Sequence, residues 1–324
     1  MAFPRRVSLV LSALVLLVVQ NSPGFAEYPE RPIRLVVPFP PGGAVDIVTR
    51  VISAKMAEDL GRNFVIENKP GAGGIVATDA VAKSASDGYT LLVASPNLTI
   101  NAALQPSLPY DAEKDLMPIS VLAEVPEVLV SHPAAPFTSF AEFIAYAKQN
   151  PGKLNYASAG IGTLPHVTME LLLRRVGVEA THVPYRGAAP AMTDLLSGVV
   201  QLKLDAYATS NAHVAAGGLR MLGIAASHRS PLMPDMPTIA EFGLPGYEAI
   251  LWVGLMAPAG TPQAVIDRIA AASRKAANDP AIVERLQRDG IDPVGGTPAQ
   301  FGALIARELP QWRELARAAN IKLQ

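Results

Sequence analysis

Four glycine-bearing turns stand out in the sequence as places where an anion can be bound. Each follows a short apolar run and precedes a stretch with helical spacing: Pro41-Gly42-Gly43, Gly71-Ala72-Gly73-Gly74, residues 158–163 and Tyr185-Arg186-Gly187. The first N–H groups of a helix are unpaired and the helix dipole is positive there, so a carboxylate or phosphate fits. A single glycine turn is explained by tight bending alone. Four in one chain, with Ser158 and Thr163 beside one of them, favour an anion site.

Two further polar residues lie close to these turns in sequence. His166 falls in the first turn of the helix that follows residues 158–163. It either serves as a polar group of a pocket or caps the turn beside it. Asp205 ends an apolar strand, where its carboxylate receives an amine or hydroxyl of a ligand, orients a neighbouring donor or caps the next helix.

Motifs of nucleotide-binding proteins and of hydrolytic enzymes are missing. No phosphate-binding loop occurs, and Pro165 stands where a dinucleotide fingerprint starting at Gly160 needs its third glycine. Ser158 lacks the preceding glycine of a nucleophile elbow. The five histidines form no close ligand pair. We therefore expect a protein that is not an enzyme and that has neither a metal ion nor a cofactor.

Composition narrows the class of protein further. Half of the 324 residues are hydrophobic and 17% are charged, which is enough apolar material for a large core. The 27 basic and 28 acidic residues nearly cancel, so nothing points to nucleic acid. The chain contains no cysteine, which excludes disulfides, thiolate metal sites and thiol catalysis.

The N-terminal segment 1–26 is typical of a secretory signal peptide. Arg5 and Arg6 precede an apolar run over residues 7–19, and Gly24-Phe25-Ala26 offers small residues at a cleavage site. The alternative is a membrane anchor, but the run is shorter than the roughly 20 residues needed to span a bilayer. We expect cleavage near Ala26 and a periplasmic product. Either the general secretory or the twin-arginine pathway could export it.

The elements that must position the turns follow from hydrophobic spacing. Short β-rich runs alternate with amphipathic stretches, which predicts an α/β protein with parallel sheets and crossover helices. The predicted strands cover residues 33–37, 64–67, 90–94, 128–130, 154–157, 181–183, 202–205 and 221–225, with helices between most of them. The pattern restarts after Pro126, so two α/β units divided near residues 123–127 are expected.

Short motifs follow one another over nearly all of the mature chain: Tyr28-Pro29, Arg31-Pro32-Ile33, residues 36–43 with Asp46, and residues 67–74, 87–92, 108–111, 151–160, 182–187, 244–248 and 257–262. In this collinear order they resemble the motifs of Bug-type receptors. These are the periplasmic substrate-binding proteins of tripartite tricarboxylate transporters. The number of matches in order argues against chance.

The resemblance implies a fold and a function. The fold would be the two-domain, Venus-flytrap periplasmic binding fold (type II), with domain 1 formed by 27–124 plus 248–324 and domain 2 by 125–247. The ligand would be a small di- or tricarboxylic, acidic amino or aromatic acid. The partners would be the large and small membrane subunits of the transporter, with a monomeric receptor as the default. As an alternative, the liganded receptor docks on a membrane signalling partner.

The resemblance also implies which residues bind the ligand. In the family a carboxylate is held by backbone amides, hydroxyls and bridging waters from loops of both domains. The matching positions here are Pro41, Gly42, Gly43 and Asp46; Ser95, Asn97 and Thr99; Ser158, Ala159, Gly160, Gly162, Thr163 and His166; and Tyr185, Arg186, Gly187 and Asp205. Two segments depart from the family pattern: residues 95–100, and Lys203-Leu204 beside Asp205. Both lie where the identity of the ligand would be set.

Overall fold

The computed structural model describes residues 28–230 and 232–318. The predicted signal peptide lies outside these residues. Within them, every helix is too short or too polar to cross a membrane. Strands and helices follow in the order β1 (Ile33–Val37), α1 (Ala44–Leu60), β2 (Phe64–Asn68), α2 (Ile75–Ala82), β3 (Thr90–Ala94), α3 (Asn97–Leu104), β4 (Leu116–Ser131), α4 (Phe140–Gln149), β5 (Asn155–Ser158), α5 (Leu164–Val176), β6 (Thr181–Pro184), α6 (Ala188–Leu196), β7 (Leu202–Ala206), α7 (Tyr207–Ala215), β8 (Arg220–Ala225), β9 (Ile250–Pro258), α8 (Gln263–Ala277), α9 (Pro280–Arg288), β10 (Asp292–Pro293) and α10 (Pro298–Ala318).

The strands form two parallel groups joined by an antiparallel centre. Their order is β2-β1-β3-β9-β4-β7-β5-β6, with β8 and β10 paired to β4. Strand β1 is parallel to β2 and β3, and β5 is parallel to β6 and β7. Strand β9 runs antiparallel to both β3 and β4. The parallel strands were predicted, and the antiparallel centre was not.

Strand β4 is shared between the two groups. From Leu116 to Pro126 it pairs with β9, and from Glu127 to Ser131 it pairs with β7 and β8. The chain returns beside this point, because the Glu127 N–H donates to the Ala249 carbonyl and the Ala249 N–H donates to Ala225. We call the group around β1 and β9 the first sheet and the group around β5 and β7 the second sheet.

Six elements differ from the sequence prediction. Strand β4 extends twelve residues before the predicted 128–130, and β9, β10, α3, α7 and α9 were not predicted. Pro118 and Pro126 interrupt the strand pattern of β4, and the structure accommodates Pro118 with a register shift before Ser120. Helices α3 and α7 are too short to establish a helical period in the sequence.

Packing of α1 on the first sheet places the start of this helix at the sheet edge. Val48, Ile52 and Met56 recur every four residues, and all three are buried on one face of the helix. Gly61 ends the helix in the left-handed conformation, with its N–H donating to the Ala57 carbonyl. Because β1 and α1 are joined by a short glycine turn, the first amides of α1 lie at the carboxyl end of β1.

Candidate functional site

Two neighbouring cavities, which share Phe39, Pro40 and Ala159 in their linings, lie where the carboxyl ends of the parallel strands of both sheets meet. The inner one has a volume of about 60 Å³ and is lined by Phe39, Pro40, Gly43, Ala44, Val45, Ser95, Asn97, Glu127, Ala159, Thr163, Leu164, Pro165, Ala188, Lys203, Asp205, Ala206, Thr209 and Leu251. The outer one has a volume of about 490 Å³ and is lined by Pro38, Phe39, Pro40, residues 70–74, Ala159, Gly160, Ile161 and residues 184–187. Both sheets contribute to each cavity, so together they form a cleft between them.

Five helices begin at the inner cavity. Residues at or beside the first turns of α1, α3, α5, α6 and α7 line it. In none of these five helices does the side chain of the N-cap residue itself cap the first turn. By contrast, Ser139 caps α4 and Asp279 caps α9, and neither residue lines the cavity. The arrangement brings the positive ends of several helix dipoles to one cavity, which suits an anion.

The two walls of the cleft approach closely at glycines. A Cβ atom on Gly187 would lie 2.7 Å from Cδ of Pro40, and a Cβ on Gly73 would lie 2.6 Å from the Ile161 carbonyl oxygen. Gly187 also has a φ of 122°, a region that other residues rarely adopt. Only glycine therefore permits this close contact between the first-sheet and second-sheet walls.

A hydrogen bond also crosses the cleft. Oδ1 of Asn97 accepts from the backbone N–H of Leu164 at 3.1 Å. The amide nitrogen of the same side chain lies 3.4 Å from the Gly73 carbonyl oxygen. Asn97 thus connects three of the segments that line the two cavities.

Asp46 supports the first glycine turn from behind and does not line either cavity. Its carboxylate accepts from the Gly42 N–H at 3.1 Å, from Nε and Nη2 of Arg50 at 2.8 and 2.9 Å, and from Asn68 at 2.9 Å. Burial disfavours its ionised form, but these hydrogen bonds outweigh burial and lower the pKa of Asp46. The residue therefore fixes the turn rather than presenting an acceptor to the cleft.

Asp205 and Lys203 form a buried ion pair in the floor of the inner cavity. Nζ of Lys203 donates to Oδ1 of Asp205, and Lys203 is only 1% exposed. Thr209 and Ser210 both donate to Oδ2 of Asp205 at 2.7 Å. The Asp205 carboxylate is therefore occupied by groups of its own protein, two of which come from helix α7.

Glu127 lines the same cavity and is not paired in this way. The residue is 2% exposed, and its Oε2 atom is buried with no hydrogen-bond partner among the described residues. Burial raises the pKa of Glu127 to about 7, against the attraction of Lys203, which lowers it. Burial likewise lowers the pKa of Lys203 to about 8, and Glu127 opposes that change.

Ser158 is held inside a stack of rings below the outer cavity. Its Oγ atom lies 2.6 Å from Nε2 of His182, whose ring stacks on Tyr156 at 4.8 Å and on His166 at 4.1 Å. Burial, and then the nearby His166, lower the pKa of His182 to about 3. Nδ1 of His166 accepts from the Gly162 N–H at 3.2 Å, so His166 stabilises the turn. With Ser158 0% exposed, its hydroxyl is used for folding.

The structure brings most of the predicted site residues together, but not all of them line a cavity. Those that line the inner one are Gly43, Ser95, Asn97, Ala159, Thr163 and Asp205. Those that line the outer one are Ala159, Gly160, Tyr185, Arg186 and Gly187. Those that line neither are Pro41, Gly42, Asp46, Thr99, Ser158, Gly162 and His166. Thr99 points toward α10, where it donates to Glu308 at 2.6 Å.

Sequence reasoning missed the polar residues Glu127 and Thr209 of the inner cavity and noted Lys203 only as a departure. A signal for two of them exists in the sequence. Glu127 and Lys203 each interrupt an apolar strand that is buried on both faces, which is unusual for a charged residue. In the part of the chain that the structure describes, no group of three His, Asp or Glu residues could hold a metal ion.

Comparisons with known proteins agree with this architecture. The family model described as tripartite tricarboxylate transporter family receptor matches residues 48–321. Protein BugT of Bordetella pertussis is 40% identical over 299 residues, covering 92% of each chain. The structure of R. palustris Rpa4515 with adipate has a TM-score of 0.88 at 35% identity, covering 91% of this chain and 99% of that one. The structure of MatC from Rhodopseudomonas palustris with bound malate has a TM-score of 0.84 at 36% identity, covering 89% and 99%.

These matches confirm the resemblance on which the fold and family predictions rest. The shared sheet, the flanking helices and the cleft between them are those of a periplasmic binding protein with two domains. The chain therefore belongs to the family of Bug-type periplasmic receptors of tripartite tricarboxylate transporters.

Proposed function

We propose that this protein is an extracytoplasmic solute receptor that binds a small carboxylate in the cleft and delivers it to the membrane subunits of a tripartite transporter. Its domains would be 27–124 plus 248–324 and 125–247, joined through β4 and the segment before β9. The mature receptor would begin after cleavage near Ala26 and act in the periplasm. We propose a monomer that binds its ligand without turning it over.

The observation that carries this proposal is the meeting of five helix N-termini at the inner cavity, none of them capped by the side chain of its own N-cap residue. Each N-terminus stabilises an anion by roughly 0.3–1 kcal/mol, so five contribute roughly 1.5–5 kcal/mol. A micromolar dissociation constant corresponds to about −8 kcal/mol. Direct hydrogen bonds and desolvation would supply the remainder. Ser95 lines the cavity and offers a hydroxyl for this purpose, whereas the hydroxyls of Thr163 and Thr209 donate to the Gly160 carbonyl and to Asp205.

The solved relatives support a carboxylate as the ligand. Rpa4515 was solved with adipate and MatC with malate, and both of these molecules are dicarboxylates. A ligand that touches both walls of the cleft favours the closed arrangement over the open one, which is how capture would be signalled to a membrane partner. The same physical change would serve a receptor that docks on a signalling protein.

Binding without turnover is supported by the position of the serine that pairs with a histidine. Ser158 and His182 lie within hydrogen-bond distance, but Ser158 is fully buried and lines neither cavity. A nucleophile must reach the reacting atom of its substrate. We therefore expect no hydrolysis of esters or amides by the purified protein.

The test is a thermal-shift and calorimetry screen of residues 27–324 against carboxylates, including succinate, malate, citrate, adipate, glutamate, aspartate, nicotinate and terephthalate. A ligand of the folded state raises the melting temperature as its concentration rises. The double variant S95A/T163V should weaken binding by roughly tenfold or more, because it removes the Ser95 hydroxyl from the cavity and the Thr163 hydroxyl that holds the Gly160 turn. T193V is the matched control, since Thr193 lies on α6 outside both cavities.

Two results would contradict the proposal. One is the lack of any shift by the whole panel after the protein has been unfolded and refolded to remove retained ligand. The other is equal loss of affinity in the control variant and the double variant. Delivery is tested separately by uptake into vesicles that contain the two membrane subunits. Recovery of a kinase ectodomain in place of these subunits would favour a sensor.

A further inference from the structure

The inner cavity has two chemically different sides. The starts of α1, α3, α5 and α6 bring the positive ends of their helix dipoles to one side, which suits a carboxylate. Glu127 projects a carboxyl group from β4 into the lining of the same cavity. Its Oε2 atom is buried and has no hydrogen-bond partner among the described residues. A buried acceptor without a donor is costly, so the site has one unmet acceptor beside several anion-binding amides.

The neighbouring charged groups do not supply a hydrogen-bond donor to Oε2 of Glu127. Lys203 is the nearby cation, but its ammonium group donates to Asp205 and makes no ion pair with Glu127. The second oxygen of Asp205 is held by Thr209 and Ser210. When all three groups are ionised, two carboxylates face one ammonium. The buried cluster of Glu127, Lys203 and Asp205 then has a net charge of −1.

We propose that Glu127 binds an ammonium group of the ligand, so that the receptor takes an amino-carboxylate whose carboxylate lies at the helix N-termini. The inference rests on the proposed carboxylate-binding function and names the class of ligand more narrowly. Glu127 acts as a specificity-determining residue at the inner end of the cleft. An ammonium group neutralises the buried cluster and supplies the donor that Oε2 lacks.

Other ligand groups satisfy the site less well. A hydroxyl supplies a donor but leaves the buried negative charge in place. With Glu127 ionised, a second carboxylate places like charges side by side in a region that water does not screen. A methyl or methylene group leaves Oε2 without a donor. An ammonium group meets both the hydrogen-bond requirement and the charge requirement of the ionised carboxylate.

Proton release provides an independent signature. With the pKa of Glu127 raised to about 7, the free protein holds a proton on this group over much of the neutral range. Two neighbouring groups interact electrostatically with Glu127. One is Lys203 from β7, which is itself paired with Asp205, and the other is the Tyr247 phenol from the segment before β9. An ammonium ligand favours the ionised carboxylate, so its binding at pH 7 should release roughly half a proton.

The experiment compares matched probes by isothermal titration calorimetry on residues 27–324. One series is aspartate, malate and succinate, and another is glutamate, 2-hydroxyglutarate and glutarate, which differ only in ammonium, hydroxyl or hydrogen. The amino member should bind roughly 10- to 100-fold more tightly than the unsubstituted acid in wild-type protein. E127Q should remove this preference. Titrations in phosphate and in Tris buffer should give different heats, because the released proton is taken up by the buffer.

Variant E124Q is the matched control. Glu124 lies three residues earlier on β4 and lines a separate groove with Arg274 and Arg307, so its substitution should leave the preference unchanged. Tighter binding of succinate or glutarate than of the amino acid in wild-type protein would overturn the ammonium subsite while the carboxylate receptor stands. An equal loss for all members of a series in E127Q would also overturn it. Failure of every probe in both series would count against the ammonium subsite and the carboxylate function together.

Discussion

Asn97 and Leu164 join the two walls of the cleft by a single hydrogen bond. Oδ1 of Asn97, the first residue of α3, accepts from the backbone N–H of Leu164, the first residue of α5, at 3.1 Å. Asn97 is only 5% exposed, so water competes little for this bond. The contact places the starts of two helices from different sheets side by side at the inner cavity.

Loss of this contact should weaken ligand capture. In N97A the Leu164 N–H loses its partner across the cleft. The closed arrangement of the two walls should then be less stable by roughly 1 kcal/mol. Affinity for an acid identified in the screen should fall by roughly fivefold, as measured by calorimetry. The control is N150A, which removes an asparagine side chain that donates to the Tyr146 carbonyl at the end of α4. Unchanged affinity in a folded N97A protein would show that this bond does not contribute to capture.

Gly187 should be essential for bringing the walls together. In G187A the new Cβ atom would lie 2.7 Å from Cδ of Pro40, at a φ of 122° that alanine rarely adopts. Ligand affinity should fall by at least roughly tenfold, since the walls can no longer reach this separation. Small-angle scattering should show that ligand no longer reduces the radius of gyration.

The control for G187A is G177A at the end of α5. Gly177 has a φ of 66°, and a Cβ atom added there would have no heavy atom within 4 Å, so only backbone strain is expected. This variant should lose roughly 1 kcal/mol of stability and keep its affinity. Equal effects of the two substitutions on affinity would mean that strain, not the contact with Pro40, is responsible.

Glu127 should make stability decrease as pH rises toward neutrality. Burial raises the pKa of its carboxyl from 4.5 to about 7 in the folded protein. Between these values the folded state binds a proton that the unfolded state does not, so the free energy of unfolding falls with increasing pH. E127Q should remove this slope and gain roughly 2 kcal/mol relative to wild type between pH 5 and pH 7.5. Parallel pH profiles from urea unfolding of the two proteins would contradict the prediction.

Asp46 should have the opposite pH dependence. Hydrogen bonds from Arg50, Asn68 and Gly42 outweigh its burial and lower its pKa, so its stabilising effect is present above its ordinary pKa and is lost as pH falls. D46N should lower the free energy of unfolding by roughly 1–3 kcal/mol at pH 7, and the difference should shrink in acid.

The comparison for D46N is D87N, which breaks the exposed pair between Asp87 and Arg31. Exposed pairs contribute roughly 0–1 kcal/mol, so this variant should unfold almost as wild type does. An equal loss in both proteins would show that Asp46 does not hold the Gly42 turn. Urea unfolding at pH 7 and pH 4 measures both variants.

Local patterns predicted most of the parallel strands and their crossover helices. The run at residues 33–37 and the spacing of Val48, Ile52 and Met56 depend only on which neighbours in sequence are apolar. They appear in the structure within one or two residues of the prediction. The antiparallel strand β9 and most of β4 were not predicted. Their pairing joins segments more than 120 residues apart, so no local periodicity in the sequence indicates it.

The four glycine turns were also readable from the sequence, and each one lies at the cleft. Which side chains of these turns line the cavities was not readable. Asp46 and Ser158 are residue types that often bind ligands. In the structure, however, Asp46 is hydrogen-bonded to Arg50 and Ser158 to His182. A hydrogen-bond partner from another element decides whether a polar group is free, and a sequence does not show that partner.

The sequence by itself determined the family, the alternation of strands and helices and the positions of the glycine turns, since these follow from residues close together in the chain. Only the tertiary structure brought Glu127, Lys203 and Asp205 into one cavity. The pairing of β4 with β7 places these residues together from positions about 75 residues apart, and the pairing of Lys203 with Asp205 leaves Glu127 without a partner. Burial of that carboxyl group is a property of the packed fold. This burial is the reason that we propose Glu127 as the residue that determines which ligand binds.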